Sequence, residues 1–127
     1  MMNIGLADFA DPTLLIVGDA EAFRELGGHF ASRRHLDLAA FQSVRLINLS
    51  SLLLDPVDKD GEFSCDGPGF HWTVSRAEAD QFSEQLQRLA ASGGPAHAYL
   101  DPRVNRTGIQ IVASLGEYES AAVFAAP

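Results

Sequence analysis

The stretch from Phe70 to Asp101 constrains the fold most, because it reads without a break as strand, capped helix, stop and strand. Phe70-His71-Trp72-Thr73-Val74 alternates large apolar with more polar side chains and is rich in aromatic and β-branched residues, the pattern of a half-buried strand. Ser75 with Glu78 three residues on makes a capping box, in which side chains satisfy backbone N–H groups at the helix start. Ala79, Phe82, Leu86, Leu89 and Ala90 then fall within an arc of about 100°, which predicts one buried helix face. Glu84 and Arg88 add an i,i+4 pair in the favourable order. Gly93-Gly94-Pro95 ends the helix, since glycine takes a left-handed cap and proline cannot continue.

The rest of the chain is weaker in signal. Residues 1–12 are expected to be a loosely ordered lead-in, with Phe9 tucked against the body. Thr13-Leu14-Leu15-Ile16-Val17 is a nearly continuous apolar run, which predicts a strand buried on both faces at the centre of a sheet. Asp19 is placed to cap a first helix in which Phe23, Leu26 and Phe30 share a face. Gly27 and Gly28 weaken that helix by up to about 1 kcal/mol each relative to alanine. Arg33, Arg34 and His35 close it with cations at the C-terminal end. Val44–Leu49 is strand-like, and periodicity leaves residues 50–54 open between a continued strand and a helical turn. A hairpin turn at Asp60-Gly61 is expected to return the chain through Glu62–Cys65. Ala96–Leu100 and Ile109–Ala113 read as an antiparallel pair, and residues 118–124 as a short edge strand or a tail, with 119–127 loosely ordered.

Val17-Gly-Asp-Ala-Glu-Ala and Val74-Ser-Arg-Ala-Glu-Ala open the two helices in the same register, so a repeated strand–helix–strand–strand unit is expected. The resulting prediction is one domain spanning residues 1–127 with an α+β fold. It is a two-layer sandwich, its mostly antiparallel sheet carrying both helices on one face.

Charge narrows the function. The formal net charge is −8, with one lysine and eight arginines against 17 acidic residues. Nucleic acid and anionic membrane surfaces both draw on clustered cations, so neither is the expected partner; a basic protein is. The single Cys65 offers no internal disulfide, and the start lacks the basic and apolar regions of a secretory signal, which makes the cytoplasm the expected compartment.

Strand alternation places chemistry on the sheet face away from the helices. If Phe70, Trp72, Ala98 and Leu100 point inward, then His71, Thr73, His97, Tyr99, Asp101 and Gln110 share the open face. That face is a candidate binding surface, and histidine, tyrosine and carboxylate together could also do acid–base work. Asp58, Asp60 and Glu62 form a candidate acidic lip for a basic partner. The acidic turn does not fit a calcium loop, because positions one and twelve fall on Pro56 and Gly67. No metal site, cofactor or catalytic residue is expected. His29 and His35 read as helix-end or surface residues.

The Asp19-Ala-Glu-Ala-Phe-Arg-Glu-Leu helix start, the Ser75–Ala91 helix, and Pro95-Ala-His-Ala-Tyr-Leu-Asp followed by Gly108-Ile-Gln-Ile-Val together resemble small bacterial immunity proteins that neutralise polymorphic toxins. The resemblance implies a small acidic binding protein that occupies its toxin by surface complementarity and carries no catalytic motif. It assigns no role to any single residue. The expected function is therefore a non-enzymatic protein-binding module of immunity type. A small-molecule binder or enzyme using the His/Tyr face, and a homo-oligomer burying that face as a dimer surface, are the alternatives.

Overall fold

A computed structural model describes residues 1–118 and 123–124. The strands are β1 (Met2–Asp8), β2 (Pro12–Gly18), β3 (Leu36–Asp37), β4 (Val44–Leu46), β5 (Leu52–Pro56), β6 (Glu62–Asp66), β7 (Gly69–Val74), β8 (Ala96–Tyr99), β9 (Val104–Asn105) and β10 (Gln110–Leu115). The helices are α1 (Ala20–Ser32) and α2 (Arg76–Ala91), and a 3-10 turn covers Leu38–Ala40. The architecture is an α+β sandwich in which one large core joins both helices to the inner faces of two sheets.

The strands divide into a first sheet, ordered β4-β1-β2-β10-β8, and a second, ordered β3-β5-β7-β6-β9. Both sheets mix parallel and antiparallel pairs. The expected single, mostly antiparallel sheet is thus replaced by two mixed ones, and the reason lies in the connections. Each helix carries the chain from one sheet to the other, so each half lends its last strand to the other half's sheet.

The two halves have the same plan. A hairpin (β1–β2 or β6–β7) leads into a helix, and three strands follow. The third strand of the first half, β5, lies parallel to β7, and that of the second, β10, lies parallel to β2. The expected repeat is present and is larger than the strand–helix–strand–strand unit read from the sequence. Its register is also different. The helix caps match Asp19 to Ser75, one residue out of step with the repeated Ala-Glu-Ala letters. Ala22, not Glu21, therefore corresponds to Glu78.

Local chemistry explains most elements. Asp19 caps α1 by accepting from Ala22 N–H at 2.8 Å, and this hydrogen bond is the main cause holding its carboxyl below the ordinary value. In α2 the capping box is complete, and Ala79, Phe82, Leu86, Leu89 and Ala90 are all buried as the arc requires. Gly27 does not break α1 because it has a packing role. A Cβ there would lie 2.8 Å from Gln87 Nε2 and 3.3 Å from Ser83 O of α2, so glycine lets the helices approach.

Several expectations are corrected. Residues 2–8 form a full strand rather than a loose lead-in, because Met2 and Ile4 supply buried apolar residues to the core. Phe9 is exposed and stacks on Tyr118, with ring centroids 6.0 Å apart. Residues 52–56 are a strand, but one in the other sheet from β4, so the chain crosses over at 47–51. Glu62–Asp66 does return as a strand, yet the hairpin is with β7 around Gly67-Pro68, and β5 lies on the other side of β7. Of the expected last strand, Tyr118 has no regular structure, residues 119–122 lie outside the described residues, and Phe124 is buried against the first sheet.

The two sheets differ on their outer faces. On the first, Leu15, Val112 and Ala7 form a second small core closed by Phe124, with Ile47, Val123 and Val17 packed on it. Gly5 makes room for this cover, since a Cβ there would lie 2.7 Å from Phe124 and 2.8 Å from Asn48 Oδ1. The Asn48 side chain bonds both Leu6 N–H and Leu6 O, extending the ladder past β4. On the second sheet, the outward residues of β5, β6 and β7 are Leu53, Asp55, Glu62, Ser64, His71 and Thr73, all partly exposed.

Candidate functional site: the open face of the second sheet

The face expected to carry six residues together is divided between the sheets. His71 and Thr73 lie on β7 in the second sheet, whereas His97 and Tyr99 lie on β8 and Gln110 on β10 in the first. Each points outward as strand alternation requires, but they do not share a wall. Asp101 is exposed just beyond β8. Gln110 is tied by its amide to Thr13 Oγ1 at 2.9 Å. His97 meets the edge of the Tyr99 ring at 5.4 Å and approaches Glu117 Oε2 at 3.0 Å. Burial pushes the Glu117 carboxyl up, but hydrogen bonds from Ser114 and His97 outweigh it and hold the group below its ordinary value.

His71 gains a different company. Its Nε2 lies 2.7 Å from Asp55 Oδ2, and His35 Nδ1 lies 2.5 Å from Asp55 Oδ1. One carboxylate is thus held between two imidazoles drawn from β7 and from the residue just before β3. An ionised carboxylate only accepts, so both of these ring nitrogens carry hydrogen, and the other nitrogen of each ring is left to take up a proton. Burial works to raise the Asp55 pKa, but the hydrogen bonds from His35 and His71, with their charges, leave it below its ordinary 3.8. The register explains the meeting. Leu36 pairs with Leu54, which sets His35 opposite Asp55, and the parallel β5–β7 ladder pairs Asp55 with Thr73, one outward position from His71.

Beside His71 a groove of about 570 Å³ is lined by Val57, Lys59, Asp60, Glu62, Thr73 and Val104. Two residues of the candidate acidic lip, Asp60 and Glu62, border it and are partly neutralised, whereas Asp58 lines a neighbouring cavity with Arg33 and Arg76. Asp60 lies 3.8 Å from Arg103, and Glu62 pairs with Arg106. Asp58 is exposed and makes no ion pair among the described residues. The neighbouring hydroxyls are spent on backbone: Thr73 Oγ1 accepts from Glu62 N–H at 2.8 Å and donates to Glu62 O, and Ser64 Oγ faces His71 O at 3.4 Å. No group of three or more His, Cys, Asp or Glu among the described residues is arranged to hold a metal ion.

Glu78 anchors this site from beneath. It is buried, and its carboxylate accepts from Ser75 N–H, from Gly61 N–H at 2.9 Å and from Arg103 N–H at 2.8 Å. One side chain thereby ties the start of α2, the turn into β6 and the segment entering β9, which together frame the groove.

His35 and Asp55 were not among the candidate residues. His35 read as a helix-end cation, Asp55 follows an apolar run with no functional role assigned, and the β3–β5 pairing joins them. The adjacent Asp55-Pro56 after an apolar run, with His35 after the first helix, was the only signal available. Comparison with protein-family models, with curated proteins and with solved structures returned no match.

Proposed function

We propose that this protein is a non-enzymatic protein-binding module that docks a basic partner on the open face of its second sheet. The observation that carries the reading is the difference between two equivalent sheets. The first has the centre of its outer face sealed by the chain's own apolar residues, leaving His97 and Tyr99 exposed on its edge strand, and the second presents polar, partly exposed side chains at its centre around a groove. A sheet with antiparallel pairs can leave one face wet, but this mixed one holds a preformed hydrogen-bonded cluster and belongs to a chain of formal net charge −8. Charge complementarity selects a cationic partner, since opposite potentials steer encounter and penalise acidic competitors. The resemblance to immunity proteins favours inhibition by occupation, in which the module blocks a basic toxin surface.

The test uses fluorescein-labelled decalysine as a cationic probe, followed by anisotropy at low salt. Neutralising Asp58, Asp60 and Glu62 together (to Asn, Asn and Gln) is expected to weaken binding by about tenfold or more. The matched change at Asp11, Glu21 and Asp80, exposed residues away from this face, is expected to have a much smaller effect. Equal loss from both triple variants would show that the probe reads only net charge, and would remove the docking face.

A further inference from the structure

We infer that docking on this face is proton-controlled, with His35 and His71 as the groups that take up protons and release a basic partner. The inference rests on the docking reading above and adds a property that reading does not require. Its basis is the geometry of Asp55, whose two oxygens are each committed to one imidazole. With both rings neutral the cluster carries one negative charge. With both protonated it carries one positive charge, while its hydrogen bonds are kept and become charge-assisted. The cluster can therefore reverse its sign without rearranging. Histidine is the side chain whose charge most readily changes near neutral pH.

The surroundings determine how far this reversal is felt. Arg33, Arg34 and His29 line the cleft that Asp55 borders, and Asp37 of β3 lies opposite Leu53 of β5. Lys59, Asp60 and Glu62 share the groove with His71. Asp60 and Glu62 are matched by Arg103 and Arg106, and the 3-10 turn Leu38–Ala40 brings no titratable group. Asp60 and Glu62 already have arginine neighbours, Asp58 lines a separate cavity with Arg33 and Arg76, and Asp55 joins the groove through its bond to His71. Protonating both rings turns that cluster from an anion into a cation at the wall of the groove. His29 and His97 also lie against carboxylates, Glu25 and Glu117, but neither is bonded to Asp55, the carboxylate that joins His35 to His71 at the groove.

The experiment measures decalysine binding to the full chain at about pH 7.5 and about pH 5.5, a range that spans ordinary imidazole titration. Wild type is expected to lose about tenfold in affinity on acidification. The double variant His35→Gln/His71→Gln keeps a donor for each Asp55 oxygen but cannot take up the protons, and it is expected to lose less than about twofold. The control His29→Gln/His97→Gln is expected to behave as wild type. Thermal melts of both double variants at the higher pH check that they fold alike. If the probe binds this face but the His35/His71 variant retains the full pH dependence, proton control is overturned and docking stands. If the probe fails to bind, or binds without regard to the lip carboxylates, both readings fall together.

Discussion

Leu15 and His71 occupy the same place in the two halves. Matching the helix caps at Asp19 and Ser75 sets β2 on β7, and the strand registers then pair each outward position of the first sheet with one of the second. Leu15 corresponds to His71, Val17 to Thr73, Val112 to Leu53, Ser114 to Asp55, and His97 to His35. One backbone plan has been given two chemistries. In the first sheet the central outward positions are apolar and buried, and Phe124 closes over them. In the second they are polar and open. Where His97 must find its carboxylate on Glu117, beyond the strand, His35 finds one directly across the ladder on Asp55. The difference shows that the open face is not a consequence of the fold, because the same fold elsewhere in the molecule is closed.

Exchanging residues between equivalent positions breaks the comparison most severely at the sealed face. Leu15→His puts a polar ring where no solvent or partner is available, and should cost about 3 kcal/mol or more in urea denaturation. The next largest effect belongs to the helix starts. Glu78 corresponds to Ala22, so Glu78→Ala gives α2 the plainer start of α1, but it also strips partners from three backbone N–H groups. A loss of about 2–3 kcal/mol is expected in the same assay, against about 1 kcal/mol for removing the simple cap in Asp19→Ala.

The reverse exchange at the open face should barely touch stability. His71→Leu is expected to stay within about 0.5 kcal/mol of wild type, because its position contributes no core contact, while decalysine binding at low pH ceases to track that residue. The smallest effect concerns Asp55 alone. Its carboxyl sits below the ordinary 3.8 in the folded protein, so it binds its proton less readily folded than unfolded. The stability it lends is complete above that ordinary value and is lost as pH falls through the lower folded one. Asp55→Asn should lower the neutral-pH midpoint slightly and flatten the acid limb of denaturation by the same amount, as read from urea midpoints from neutral into the acid range.

The contrast between the faces was already legible in two strands. Thr13-Leu14-Leu15-Ile16-Val17 has no polar alternation and became the centre of the sheet buried on both sides. Phe70-His71-Trp72-Thr73-Val74 alternates and became the centre of the half-wet one. Helix α2 was equally legible, from its capping box to its buried arc, because those signals are local. What was not legible is long-range. The two-residue strands β3 and β9 carry no periodicity, yet β3 is what brings His35 to Asp55. The crossing of β3, β5, β8 and β10 into the opposite sheet is a choice of pairing partner that propensity does not encode, and that of β8 separated His71 from His97. The repeat was visible as letters but in the wrong register, since Ala-Glu-Ala is a common way to begin a helix and the caps, not the letters, define equivalence.

The most direct test of the open face as the docking surface is a titration of isotope-labelled protein with decalysine, followed by amide chemical shifts. Perturbations concentrated at Leu53, Asp55, Glu62, His71 and Thr73, with Leu15, Val17 and Val112 unmoved, are the predicted result. Shifts spread evenly over the acidic surface, or gathered on the first sheet, would contradict it.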